Sequence, residues 1–219
     1  MNSSGNSLEE IFKDKEIELQ KVRQEIANCS ACPLSKTRKN TVPGEGSVKA
    51  KIMFIGEAPG ATEDEKGIPF CGQAGKFLDE MLGNIGLNRE DVFILNTLKC
   101  RPPDNRDPED SEKEACRPFL ERQFEIINPK LIVPMGKHAV LNFLPGAGTI
   151  SQLHGRVLKR PNGKIYFPLY HPAAALHNGG LRSTLVDDFN KIPAILEKIE
   201  TTKVSTPEDE DKIEQQKLI

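Results

Sequence analysis

Apolar positions follow two kinds of pattern along the chain. Lys51 to Gly56 (KIMFIG), Val92 to Asn96 (VFILN), Leu131 to Gly136 (LIVPMG) and Ile165 to Tyr170 (IYFPLY) are short runs rich in Ile, Val, Leu and Phe. Nearly unbroken apolar runs of this length predict strands buried on both faces, as in a parallel sheet. Elsewhere the spacing changes to threes and fours. Leu8, Ile11, Phe12, Leu19, Val22 and Ile26 predict an amphipathic helix that docks on a core and ends at Asn28. Phe77, Leu78, Met81, Leu82 and Ile85 predict a second helix, stopped by Gly86, and a third is opened by Asp107-Pro108 and closed before Asn128-Pro129. Leu185, Phe189, Ile192, Leu196 and Ile199 keep a 4-3-4-3 spacing and predict one closing helix. Val157 to Lys159, Pro161-Asn162-Gly163 and the last strand predict a local hairpin. Strands alternating with helices predict an α/β fold whose parallel sheet is covered on both faces.

Length and composition set the frame for this pattern. At 219 residues, 37% hydrophobic and 28% charged, the chain reads as one sizeable domain with short appendages. The expected division is an N-terminal amphipathic helix over 1–28, the main domain over 29–200 and a charged flexible tail over 201–219, where no sustained apolar face is visible. No stretch approaches the ~18 uncharged apolar residues of a membrane helix. The start, Met1 to Phe12, has no basic flank with an apolar run, so a cytoplasmic location is expected. Five cysteines, an odd number, argue against a disulfide framework and point to metal ligands, catalytic thiols or core residues.

The net charge of -2 by itself disfavours a polyanionic partner, but its distribution changes that reading. Residues 29–200 hold 23 basic against 21 acidic side chains, and the positive ones cluster at Lys36, Arg38, Lys39, Lys49 and Lys51 and again at Lys159, Arg160 and Lys164. Clusters of this size are commonly solvated surface, so nucleic-acid binding needs separate support.

Further signals lie in the segments at the carboxyl end of each strand. Gly56-Glu57-Ala58-Pro59-Gly60 comes after the first, Asn96 ends the second, Gly136-Lys137-His138 comes after the third and His171-Pro172 after the last. Ligands of open parallel sheets bind beyond the carboxyl ends of the strands, so these segments predict one site built from four loops. A phosphate-binding P-loop is disfavoured by its missing spacing and by Glu57. Cys29-Ser30-Ala31-Cys32, with Cys100 and Cys116 far along the chain, gives four thiolates that suit tetrahedral zinc or a 4Fe-4S cluster, and four unrelated buried thiols are the alternative. Cys71 is left over as a small core residue. Of the four histidines, His138, His154 and His177 read as ordinary surface or packing residues. His171 differs, because Pro172 holds it extended after a buried strand and lets its side chain point into the site.

Taken together, Gly56-Glu57-Ala58-Pro59-Gly60, Glu63, Gly67-Ile68-Pro69-Phe70, Asn96-Thr97-Leu98-Lys99-Cys100-Arg101-Pro102-Pro103 and His171-Pro172-Ala173, with the four cysteines, resemble a type 4 uracil-DNA glycosylase over about residues 29–196. The resemblance implies a three-layer α/β/α sandwich on a four-stranded parallel sheet, a 4Fe-4S cluster on Cys29, Cys32, Cys100 and Cys116, and excision of uracil from DNA. The related type 5 enzymes lack a polar residue at the Glu57 position and an asparagine at the Asn96 position. Covalently trapping relatives carry a basic, histidine-containing insertion where this chain runs directly from Glu63 to Gly67.

The resemblance also implies roles. Gly56, Glu57, Ala58, Glu63, Phe70, Asn96 and His171 would form the uracil site, with Phe70 as the stacking face, Asn96 reading the base edge, Glu63 against C5 and His171 as a donor to O2. The attacking water would be held by Glu57 or by backbone carbonyls, since the water-binding aspartate or asparagine common in other types is replaced by Ala58. Lys36, Arg38, Lys39, Arg101 and Lys137 are the expected phosphate contacts, and Leu176 the wedge filling the gap left by the flipped base. The expected partner is uracil-containing DNA, single- or double-stranded, bound by a monomer without a membrane and with a possible replication-associated protein. Two rivals stand beside this reading: an electron-transfer iron-sulfur protein, and a non-catalytic iron-sulfur DNA-binding or polymerase-associated domain.

Overall fold

The four apolar runs become the centre of one sheet in the computed structural model, which describes residues 7–202 except 162 and 177. Its strands are β1 (Glu45–Gly46), β2 (Ile52–Gly56), β3 (Phe93–Asn96), β4 (Leu131–Pro134), β5 (Leu158–Lys159) and β6 (Ile165–Tyr166), in the order β1-β3-β2-β4-β6-β5. Within it β3, β2, β4 and β6 run parallel, with Gly56 beside Asn96 and Ile132 beside Tyr166. The expected four-stranded sheet is thus extended to six by β1 and β5, each of two residues and antiparallel to its neighbour. Strands this short carry no periodicity, but they protect the edges of the parallel core from pairing with other chains. The β5–β6 pair is the expected hairpin, whose turn residue Asn162 lies outside the described residues.

The last strand is shorter than its apolar run because Pro168 has no N–H to give the ladder. Pairing continues around it: Phe167 N–H donates to Ile132 O at 2.8 Å and Leu169 N–H to Pro134 O at 3.0 Å. His171 is therefore carried to the same sheet edge as Gly136.

Alternate strand residues feed two cores. Ile52, Phe54, Ile94, Leu131 and Val133 pack with α3 (Gln73–Asn84), α8 (Gly179–Phe189) and α9 (Ile192–Thr202). Met53, Ile55, Phe93, Leu95 and Ile132 pack with α1 (Leu8–Ala27), α4 (Asp110–Ile127) and α5 (Lys137–Phe143). Three short helices, α2 (Ala61–Lys66), α6 (Ile150–Leu153) and α7 (Pro172–Ala175), fill the connections. The result is an α/β/α sandwich.

Two expectations about helices need correction. The helix over 8–27 forms, with Ser7 as its cap, but only Leu19, Val22 and Ile26 are buried, while Leu8 is 72% exposed. The helix docks on α4, where Lys15 Nζ donates to Ile127 O at 3.3 Å and Glu25 pairs with Arg122. The closing helix is two helices, α8 and α9, broken at Asn190 and Lys191. Pro193 cannot continue a helix interior, yet the apolar spacing carries across the break because both helices cover the same core. Among the described residues no helix is long and apolar enough to cross a membrane, and the expected tail lies outside them beyond residue 202.

Candidate active site and cysteine centre

The segments beyond β2, β3, β4 and β6 converge at the carboxyl end of the sheet. Ala58, Gly60, Glu63, Phe70, Ala74, Asn96, His171 and Ala173 line one cavity of about 190 Å³. That is below the roughly 300–1,000 Å³ of drug-sized pockets and suits a single flat ring. Gly56 forms the junction between its walls: a Cβ there would lie 2.2 Å from Asn96 Oδ1 and 2.7 Å from Phe70 Cζ, so any larger residue displaces both. Asn96 is 2% exposed, and among the described residues its side-chain amide has no hydrogen-bond partner. The amide faces the open cavity, so its donor and acceptor are available to a ligand that enters.

Phe70 faces His171, with ring centroids 5.4 Å apart and planes 27° from parallel. His171 caps α7: its Nδ1 accepts the Ala173 N–H at 3.1 Å. In a neutral ring this assigns the hydrogen to Nε2. Burial pushes the His171 pKa down to about 4, so the ring is a neutral N–H donor at neutral pH. Gly136, at φ +87°, brings the turn after β4 against it, with room for no side chain, since a Cβ would sit 3.0 Å from His171 Cβ.

Glu63 belongs to the cavity wall, but its carboxylate is already engaged. Oε1 accepts the backbone N–H of Cys71 at 3.1 Å and of Gly72 at 3.0 Å. It thus orders the turn after Phe70. Cys71 is half-buried, with its Sγ 3.5 Å from Thr62 O, and is not part of the close-packed core expected of it.

Glu57 departs from its expected place. Its side chain turns away from the cavity lining, toward His138 Nδ1 at 3.6 Å, and His138 Nε2 lies 3.6 Å from Asp107. Glu57 Oε1 is buried without a hydrogen-bond partner, and desolvation raises the carboxyl's pKa. The backbone of the same residue is fixed, since Leu98 N–H donates to Glu57 O at 3.0 Å. His138 and Asp107 are not predictable from the residues alone, because nothing local links a helix start to a loop thirty residues earlier. His154, by contrast, is the packing residue expected, with Nδ1 2.6 Å from buried Asp188, and His177 lies outside the described residues.

Cys29, Cys32, Cys100 and Cys116 line a second, apolar cavity between the end of α1, the loop after β3 and α4, walled by Leu34, Leu98 and Phe119. No three of their sulfurs lie mutually within 4.8 Å. A single tetrahedral zinc, with Zn–S near 2.3 Å, holds its sulfurs about 3.8 Å apart. The spacing is therefore wider than one zinc ion requires. Two cationic residues attend the thiols: Arg38 Nη1 donates to Cys100 Sγ at 3.1 Å and the Lys99 backbone N–H to Cys116 Sγ at 3.3 Å. Burial pushes the Cys116 thiol up to about 11 and raises that of Cys100, opposed in part by Lys99 at the first and by Arg38 at the second.

This arrangement corrects one expected phosphate contact. Arg38 also donates to Cys29 O at 2.7 Å, so its guanidinium is committed to the cysteine loop. Lys36, Lys39 and Lys137 are exposed, with Lys39 Nζ 3.4 Å from Glu65, and half-buried Arg101 donates through Nε to Asn105 Oδ1 at 2.8 Å. Leu176 is half-buried against the α3–α8 core.

Comparison with known proteins agrees with the geometry. Residues 43–192 match the model of the uracil DNA glycosylase superfamily. A type-4 uracil-DNA glycosylase of Sulfurisphaera tokodaii is 50% identical over 182 residues, covering 80% of this chain and 83% of that protein. Type-4 enzymes of Saccharolobus solfataricus and Archaeoglobus fulgidus are each 47% identical, over 190 and 191 residues, covering 81% and 84% of this chain and 86% and 96% of theirs. Because the matched region runs through all four strand ends that build the cavity, the chain belongs to the uracil-DNA glycosylase superfamily, among its type-4 members.

Proposed function

We propose that this chain excises uracil from DNA by hydrolysing the N-glycosidic bond, leaving an abasic site for base excision repair. The observation that carries the reading is the unpaired Asn96 amide in a cavity sized for one ring, beside the Phe70 face and a neutral His171 N–H donor. Uracil presents an N3–H donor next to the O4 acceptor, which matches an amide's oxygen and NH₂ in order. Cytosine reverses both groups and leaves two buried mismatches, enough for rejection by roughly 10^4. Stacking on Phe70 offsets part of the few kcal/mol needed to extrude the base.

Cleavage of the glycosidic bond leaves negative charge on uracil O2 and positive charge on the sugar. The Nε2–H of His171, in a neutral ring whose Nδ1 is occupied by the Ala173 N–H, is the group suited to donate to O2 as negative charge develops there. The attacking water would be held by backbone carbonyls of the loop after β2, or by Glu57 once its side chain rotates from His138 back toward the cavity. In this reading Glu63 meets C5 only through the wall it orders.

Cys29, Cys32, Cys100 and Cys116 would hold a 4Fe-4S cluster. The four thiols that line one apolar cavity support it. Such a cluster supplies a structural tie between the N-terminal segment and the Arg101 loop. Lys36, Lys39, Arg101 and Lys137 supply the phosphate contacts, and Leu176 serves as a wedge by turning out of its half-buried position. The enzyme acts as a cytoplasmic monomer on uracil in single- or double-stranded DNA, with a replication-associated partner as a further expectation.

One assay tests the reading. Purified protein, with no cofactor added, is incubated with otherwise identical oligonucleotides containing uracil or thymine, and strands are tested for alkali lability. Uracil-specific breaks are expected from brown protein holding about four irons per chain. Intact uracil strands would leave the non-catalytic DNA-binding reading in place, and colourless protein with stoichiometric zinc would remove the cluster.

A further inference from the structure

Phe70, the ring that stacks on the base in the function proposed above, is held in an unusual backbone. Its φ is 49°, in the left-handed region that bulky side chains rarely adopt. Such a conformation persists only where its surroundings over-determine it. Three contacts do so. Arg89 Nη2 donates to Pro69 O at 2.5 Å and Nη1 to Phe70 O at 3.3 Å, so one guanidinium fastens two successive carbonyls. Glu63 takes the next two backbone amides from the opposite side. Gly75, in the first turn of α3, lets the Phe70 carbonyl approach so closely that a Cβ there would lie 1.5 Å from its oxygen.

Arg89 is itself fixed from outside the site. Its Nη1 donates to Asp79 on α3 at 2.7 Å and its Nε to Glu45 on β1. It does not line the base cavity. It stands in the single turn that precedes β3, the strand that delivers Asn96 to the cavity beside Phe70. Only arginine has the planar fork of donors to serve two carbonyls and two carboxylates together.

We propose that Arg89 is a positioning residue for base recognition: it locks the Pro69-Phe70 turn and ties the stacking ring to the strand that carries Asn96. It acts through Phe70 alone, so its effect depends on the ring being present.

The test is a double-mutant cycle on the full chain. Arg89→Gln and Arg89→Lys are made in the native and in the Phe70→Ala background, and single-turnover excision, inhibition by free uracil and thermal midpoint are measured. In the native background Arg89→Gln should slow excision about 10-fold and weaken inhibition by uracil by a similar factor. Arg89→Lys should fall between it and the native protein. In the Phe70→Ala background the same changes should alter excision less than about 2-fold, because coupled residues are non-additive. Equal losses in both backgrounds overturn the proposal and make Arg89 a general stabiliser. Should Arg89→Gln unfold, Arg89→Lys carries the same comparison. If Phe70→Ala alone excises uracil at the native rate, stacking on Phe70 fails and the proposal falls with it, a result seen before Arg89 is touched.

Discussion

Two cavities flank the end of β3, and they are built on opposite principles. The base cavity is open, and its polar groups include an Asn96 amide without an internal partner and a His171 N–H facing in. The cysteine cavity is closed and apolar, and the sulfurs of Cys100 and Cys116 each receive a hydrogen bond. The first leaves hydrogen-bonding capacity for something that arrives and departs. The second is lined by apolar side chains around four thiols. Lys99 stands between them, 1% exposed, with its Nζ donating to Asn96 O at 2.7 Å and its backbone N–H to Cys116. Desolvation lowers its pKa to about 8, countered in part by the neighbouring Cys116 and Cys100. The cysteine centre thereby reaches the base-reading strand through one buried side chain, although no cysteine of that centre lines the base cavity.

The sharpest way to separate the two regions is Asn96→Asp. A carboxylate presents two acceptors, one of which opposes uracil O4; with cytosine that oxygen accepts from the N4 amino group, while the other matches the N3 acceptor only when it carries a proton. Uracil excision should fall by roughly 10^4, or about 5.5 kcal/mol, with residual activity shifting toward cytosine. Iron content and colour should not change, since the Asn96 backbone carbonyl that Lys99 uses is retained. Loss of iron along with activity would mean that the cavities are one unit and that the contrast between them is overdrawn.

A smaller effect is expected from His171→Ala. It removes a group that matters as charge collects on O2, so uracil-DNA binding should stay within a few-fold while single-turnover cleavage falls about 10^2-fold, or about 2.7 kcal/mol. Near-native cleavage would transfer the O2 donor role to the backbone of the Glu57-Ala58 loop.

The parts of these sites that sit on strand ends are readable from residues alone. Each strand is buried on both faces, so its apolar run stops where the polar loop begins, and Asn96 and His171 stand at those stops. Four cysteines can be grouped in the same way, by chemistry. Pairings across distance are what residues alone do not show. Arg89 looks like any helix-flanking arginine until Pro69 and Phe70 fold beneath it, and Arg38 resembles a phosphate contact until the cysteine loop wraps round it. The motif around Glu57 puts it in the pocket, but its side chain turns to His138, a partner 81 positions away. Gly75 is the one legible hint, because glycine in the first turn of a helix is unfavourable unless another backbone must come close.

The His171 environment also predicts a pH dependence of stability. Burial holds its folded pKa near 4, below the ordinary 6.5, so between those values the unfolded chain binds more protons than the folded one. Stability is full above about pH 6.5 and is lost as pH falls toward 4. Discounted for partial contact of the residue with solvent, the loss is about 2 kcal/mol. Urea midpoints of the native protein and of His171→Gln, compared at several pH values, isolate it: the variant should lack this component. Parallel slopes would show that His171 is not desolvated in the folded protein and that the closed character of that wall is wrong.

The smallest effect is expected at Cys71, the cysteine on the base side of the molecule. It lies beside the stacking turn, gives its N–H to Glu63 and places its Sγ 3.5 Å from Thr62 O. Burial and the Glu63 charge raise its pKa, which keeps it a neutral thiol at neutral pH. Cys71→Ser keeps the backbone donor, replaces a weak S–H donor with a hydroxyl and removes little volume. Excision should stay within about 2-fold, because no interaction that Phe70 or Asn96 depends on is lost. Iron and colour should match the native protein, whereas serine at any of Cys29, Cys32, Cys100 or Cys116 should diminish both. A Cys71→Ser protein that loses iron would place this thiol in the cysteine centre and erase the division between the two cavities, since the same turn also shapes the base pocket.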